Sequence, residues 1–283
     1  MNAMRDNFLL FFSITLGLLL GAGLLHLLPS MGRTGERISA ASCRAPILDA
    51  VVCYFTIVPL IIGPLVVGWC GLLIAIVAQM ATLLIWETIH EAVHRDAVKG
   101  PRIVKVLNKK FGPIRNLTAA YITAFATPIF WFVRIAQLTI YPLLVWLVNL
   151  PSYKAADWVS VSRQKFSGLV GHDLIWCLYC DWMTGVWSLG TEMLRNVESL
   201  GCPIRFSCEK KCANCSIDFP DVNNGWVNAS GNMEDVVRAL DRMYPSAKTP
   251  QSWFGHPLRK SQPLASSDRP EQQDQNVPSH LGV

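Results

Sequence analysis

The sequence predicts an all-α integral membrane protein: one N-terminal span, two helical hairpins and a small Cys-rich cytosolic module. Three observations predict it. Of 283 residues, 51% are hydrophobic and only 16% charged, against about 25% charged in soluble chains. Three apolar stretches are each long enough for ~30 Å of hydrocarbon. The segments that join them are rich in Lys and Arg. This composition excludes a globally disordered, collagen-like or coiled-coil chain. The net charge of +5 is concentrated beside the apolar stretches, where it sets topology rather than marking nucleic-acid binding.

Residues 1–30 hold the first span, an uncharged run from Phe8 to Leu28. Arg5 in front and Gly21-Ala22-Gly23 near its end have a signal-peptide flavour. The run is long for a secretory core and no small-x-small cleavage site follows, so it reads as a retained helix. Residues 46–150 hold the two hairpins. The stretch from Leu48 to Trp86 would overshoot the bilayer as one straight helix, and Pro59, Gly63, Pro64 and Gly68 interrupt it. A turn near Gly63 to Gly68 makes it two spans. The stretch from Leu117 to Leu150 contains Pro128, Arg134 and Pro142, and reads as a second hairpin or as kinked, partly re-entrant helices. Arg134 then requires a polar partner.

Topology follows from the basic residues. Arg33, Arg37 and Arg44 follow the first span. Arg95, Lys99, Arg102, Lys105, Lys109, Lys110 and Arg115 lie between the hairpins, and Lys154, Arg163 and Lys165 follow the second. With two hairpins, all three segments share one face, expected to be cytosolic, and the N-terminus lies outside. Residues 151–200, rich in Trp176, Trp182 and Trp187, read as an interfacial helix. Residues 201–245 form the Cys-rich module, with a helix from Met233 to Met243 capped by Asn232. Residues 246–283 are dominated by Ser, Pro, Gln and Asp and read as a disordered tail.

The chemistry is concentrated at Trp86-Glu87-Thr88-Ile89-His90-Glu91-Ala92-Val93-His94-Arg95, where the first hairpin leaves the membrane. On a helix, His90 and His94 lie one turn apart and can converge on one metal ion, with Glu91 within reach of a metal-bound water. The competing reading is that interfacial His and Glu simply sit among headgroups.

This segment resembles the zinc-peptidase signature His-Glu-x-x-His. The resemblance implies that His90 and His94 bind zinc and that Glu91 is the general base. The segment is also similar to the first histidine box of the membrane fatty-acid desaturase and hydroxylase superfamily, which implies iron and an electron donor. That family needs further histidine boxes. The chain has only 6 His, and no His-x-x-His-His occurs, so a mononuclear metal is the stronger expectation.

His172 or Asp173 is the expected third ligand, in a segment predicted to be helical that also carries Cys177, Cys180 and Asp181. Glu192 is the other candidate. Cys202, Cys208, Cys212 and Cys215 fall close together on a face expected to be reducing. Their spacing suits a structural zinc, with an iron–sulfur site or free thiols as alternatives.

The expected function is a membrane metalloenzyme, a hydrolase acting on a membrane-proximal peptide or lipid with Zn, or an Fe enzyme of desaturase type. The non-catalytic alternative is an assembly or interaction protein whose Cys-rich module docks a partner.

Overall fold

A computed structural model describes residues 2–207, 225–247 and 251–252, which fall into two compact units, Met1–Arg195 and Asn196–Val283. Among the described residues there is no strand, only two isolated β-bridges. Four helical stretches, 4–30, 47–67, 69–93 and 113–148, are long and apolar enough to cross a bilayer. The chain is a helical membrane protein, and its surface carries the large apolar side chains that lipid requires, such as Phe8, Leu65, Trp69 and Trp146.

The first unit begins with α1 (Asn2–Leu27) and a short amphipathic α2 (Gly32–Ser42). The expected first hairpin is present. One arm is α3 (Ile47–Thr56) continued by α4 (Val58–Val67), and the other is α5 (Trp69–Val93). Gly68 turns the chain at φ +71°, a conformation that favours glycine. Two further glycines set the separation of the arms. A Cβ at Gly63 would lie 2.2 Å from the Gly71 carbonyl oxygen, and one at Gly71 would lie 1.9 Å from that of Gly63. The backbones touch because neither residue has a side chain.

Proline explains the break between α3 and α4. Pro59 lacks the N–H that would bond to Phe55 O. In lipid an unpaired carbonyl costs several kcal/mol, and Gln79 on α5 removes that cost by donating to Phe55 O (2.7 Å) and Thr56 O (2.9 Å). α1 lies along this hairpin, with Leu10, Ile14 and Leu18 packed on Ala75 and Ala78. The Tyr54 hydroxyl donates to Gly17 O.

The third apolar stretch differs from a hairpin of two equal arms. It forms α8 (Pro113–Ala124) and α9 (Thr127–Val148), separated at Phe125 and Ala126. The 12 residues of α8 reach only about 18 Å, well short of a full crossing. Between α5 and α8 come α6 (Arg95–Lys99) and α7 (Ile103–Phe111).

Arg134, on α9, is 1% exposed, and its partner is Asp49 on α3. Two guanidinium nitrogens donate to Asp49 Oδ2, at 3.1 and 2.6 Å. Trp182 Nε1 donates to the other carboxylate oxygen at 3.3 Å. Gln137 accepts from Arg134 (2.9 Å) and donates to Val186 O (2.7 Å). Every strong group in the cluster is bonded, as a charge in this environment demands.

Residues 151–200 are helical only in part. After α9, α10 (Ala155–Trp158) and a 3₁₀ turn (Arg163–Lys165) return the chain to the start of α3. There Ala45 N–H donates to Val159 O and Val161 N–H to Cys43 O, both at 2.9 Å. α11 (Gly171–Gly201) follows. Its buried positions Trp182, Val186, Leu189 and Met193 recur at helical spacing. A Cβ at Gly185 would lie 2.4 Å from Trp158 O. Arg44 of the first basic segment forms a β-bridge with Ser160 in the third, and Arg102 of the second pairs with Asp173 on α11.

In the second unit α12 (Met233–Met243) has the bounds that the sequence predicts. Asn232 accepts from Asp235 N–H, and Asp235 reciprocally accepts from Asn232 N–H, a capping box. Its buried face is Val236 and Ala239, whereas Val237 is exposed. Trp226 packs with Phe206, Met243 and Tyr244. Cys202 is an exposed free thiol. Cys208, Cys212 and Cys215 lie outside the described residues, as does the tail beyond Ser252. At the start of that tail Gln251 and Ser252 are buried.

Candidate functional site

The His-Glu-x-x-His segment closes α5, and its second histidine is not on the helix. His94 is the residue after the last helical one, with φ −103° and ψ 46°. Its Nδ1 lies 2.9 Å from His90 O. A carbonyl only accepts, so this nitrogen carries the proton. His90 is nearly buried, and its Nδ1 lies 3.1 Å from Gly171 N. Here the backbone N–H donates, so the neutral His90 ring holds its proton on Nε2 and has no lone pair left for a metal.

The rings of His90 and His94 are stacked, centroids 4.2 Å apart at 23°, and Trp86 stacks on His90 at 4.5 Å and 24°. Imidazole lone pairs lie in the ring plane. Two stacked rings therefore aim them side by side rather than at a common point. His26, from the end of α1, stands edge-on to both, at 5.5 and 6.1 Å. Among the described residues no group of three His, Cys, Asp or Glu is arranged to hold a metal ion.

The carboxylates expected to serve a metal are engaged elsewhere. Arg102 Nη2 donates to Glu91 Oε1 at 2.7 Å, and its Nε donates to Asp173 Oδ2 at 3.0 Å. Arg102 also donates to Val170 O at 3.1 Å. Its side chain is 3% exposed, as is that of Asp173. Burial by itself would lower the guanidinium pKa. The hydrogen bonds it donates to the Glu91 and Asp173 carboxylates, with their negative charge, more than reverse this, leaving it above the ordinary arginine value.

The same side chains cap helices. The first turn of α11 has backbone N–H groups with no partner inside the helix. Gly171 N–H donates to His90, and His172 N–H to Glu91 at 3.3 Å. In return Asp173 Oδ1 accepts the Val104 N–H at 2.9 Å, in the first turn of α7. Each carboxylate sits at a positive helix end. Gly171 has φ +52°, and a Cβ there would lie 2.3 Å from Glu91 Cγ.

His172 is brought to the same place. Its Nδ1 lies 3.3 Å from Glu87 Oε1 and 3.2 Å from Trp176 Nε1. The remaining candidates lie elsewhere along α11. Asp181 accepts the Ser162 and Arg163 N–H groups at 2.7 and 3.2 Å. Burial raises the Cys177 thiol above its usual pKa, which keeps it protonated. Glu192 pairs with Tyr153 and Arg195.

Comparison with protein-family models, with curated proteins and with solved structures finds no match for this chain. The geometry has to speak alone. The fold brings His90, His94, Glu91, His172 and Asp173 into one neighbourhood, through Arg102, Gly171 and the stacked rings rather than through a shared ligand set. It adds His26, Arg102 and Gly171, which sequence reasoning misses. Arg102 is hidden among seven basic residues that look alike in a topology argument, and Gly171 is signalled only by a glycine opening a helix.

Proposed function

We propose that this chain is a membrane-anchored assembly protein, and that its His-Glu-x-x-His turn is a structural joint. The observation that carries the reading is Arg102, which neutralises both Glu91 and Asp173. A general base needs a carboxylate free to take a proton from water. Glu91 instead accepts from a guanidinium and from a helix N-terminus. The joint fastens α7 and α11 to the end of α5, and the partner, in this reading, is a protein bound through the Cys-rich region. By the positive-inside rule the basic segments would face the cytosol.

A second reading, a metal-dependent hydrolase, is favoured by one observation: the imidazoles of His26 on α1, His90 on α5 and His94 just after it gather with centroids 4.2 to 6.1 Å apart. In that reading His26, His90 and His94 would hold zinc, or iron in the desaturase-like form. The substrate would be a membrane-proximal peptide or lipid. It requires His90 to release the Gly171 amide and Glu91 to leave Arg102. The residues do not fit the ion as they stand.

Metal analysis separates the two. Protein purified in detergent without chelator is compared with its His94→Ala variant. An assembly joint leaves the metal content per chain unchanged by the substitution. Loss of about one metal per chain in His94→Ala would reject the joint and establish the metal centre.

A further inference from the structure

The last of the four apolar stretches is split between α8 and α9. We propose that α8 and α9 form a monotopic surface embedded in a single leaflet, the one at the end of the unit where Glu91, Arg102 and Asp173 meet. The partner this surface fits is the acyl layer of that leaflet, with anionic headgroups against the basic residues of α7 and early α8.

The deduction is one of parity. Val104, before α8, donates its N–H to Asp173, after α9, at 2.9 Å, and Arg102 bonds to the same carboxylate. Residues in direct contact share one side of a membrane, so the chain between Val104 and Asp173 crosses an even number of times. Two crossings need two segments of about 20 residues. Only α9, with 22 residues, qualifies, because α8 has 12. The return from 149 to 170 contains a four-residue helix and a 3₁₀ turn. Its irregular backbone cannot traverse lipid. The number of crossings is zero.

The two sides of α9 agree with this placement. One side carries Arg134 and Gln137, both buried and bonded to Asp49 and Val186 of neighbouring helices. The opposite side exposes Phe132 (74%), Leu143 (58%) and Trp146 (80%). Such a helix lies in the interface with its apolar side in the acyl chains. α7 prepares the approach. Its Val106 and Phe111 are exposed, and Lys105, Lys109 and Lys110 accompany them, followed by Arg115 on α8. Basic residues so placed attract anionic headgroups. The crossings are then three: α1, α3 with α4, and α5.

The test uses the full chain in sealed vesicles with two epitope tags, one after Lys109 and one after Ser152. Both tags are expected to react with antibody from the same side. Reaction from opposite sides would overturn the proposal. A second measurement needs no insertion. A fluorescent amino acid is encoded singly at Ile129, Phe132, Leu143 and Leu147, and quenched by lipids brominated at graded depths. Similar shallow depths at all four positions support the single-leaflet surface. A depth that passes through the bilayer centre along α9 would overturn it, even with both tags on one side.

Discussion

Gly171 packs against Glu91 with no room for a side chain between them. Its φ of +52° is also one that residues with a Cβ rarely adopt. Gly171→Ala is therefore expected to fail twice over, with the left-handed backbone alone costing about 1–2 kcal/mol. The steric clash adds to this. Thermal unfolding in detergent should fall clearly below the parent, and an unchanged midpoint would show that α11 does not start against Glu91.

Arg102 holds two carboxylates, and Asp173 is as buried as Arg102 itself. Arg102→Met should cost about 3–5 kcal/mol, because it leaves unpaired negative charge behind. Combining it with Asp173→Asn should recover part of the loss, since the stranded charge is then removed. The double-mutant cycle measures this coupling, and additive losses would contradict a shared ion pair.

Asp49 and Arg134 form the second buried pair, which joins α3 to α9. Either Asp49→Leu or Arg134→Leu alone should destabilise by about 3–5 kcal/mol, and the double variant by less than the sum. Resistance to unfolding by an ionic detergent is a suitable readout. Equal losses in single and double variants would also fit a pair, whereas a strictly additive double would not.

The α4–α5 crossing depends on Gly63 and Gly71, whose backbones meet. Gly63→Ala should force the arms apart and expose Gln79 and the carbonyls it satisfies. Faster amide hydrogen exchange at the α3–α4 break would report this. Exchange equal to the parent would mean that the close approach is not needed.

In α12, the Asn232 N–H bond is the largest cause holding the Asp235 carboxyl below its usual pKa, and the Arg238 guanidinium adds to it. A carboxylate depressed in the folded state contributes stability above its unfolded value. That contribution disappears as pH falls through the folded value. Fraying at the start of α12 should therefore grow as the solution is acidified below about pH 4. Asn232→Ala should show the same fraying already at neutral pH. Amide exchange at Asp235 and Val236 checks both.

Apolar stretches, the turn and the α12 cap were legible in the sequence because each depends on neighbours in the chain. Apolar run length sets the crossing of α1, Gly68 makes the turn, and Asn232 caps the helix that follows it. The need for a partner to Arg134 was equally readable. Its identity was not, because Asp49 lies 85 residues away and sits in an apolar run that hides it. The expected pairing of His90 with His94 rested on one continuous helix, yet α5 ends at Val93 and the rings stack.

The sequence by itself determined that this chain lives in a membrane, where its apolar segments lie and which of its segments are basic. Hydrophobic transfer and charge near the bilayer are sums over local residues, so order along the chain suffices. Only the tertiary structure decided what Glu91, His90 and Asp173 are bonded to. A carboxylate can serve a metal, a guanidinium or a helix end, and the choice belongs to whichever partner folding brings within about 3 Å. Here those partners are Arg102 and the start of α11.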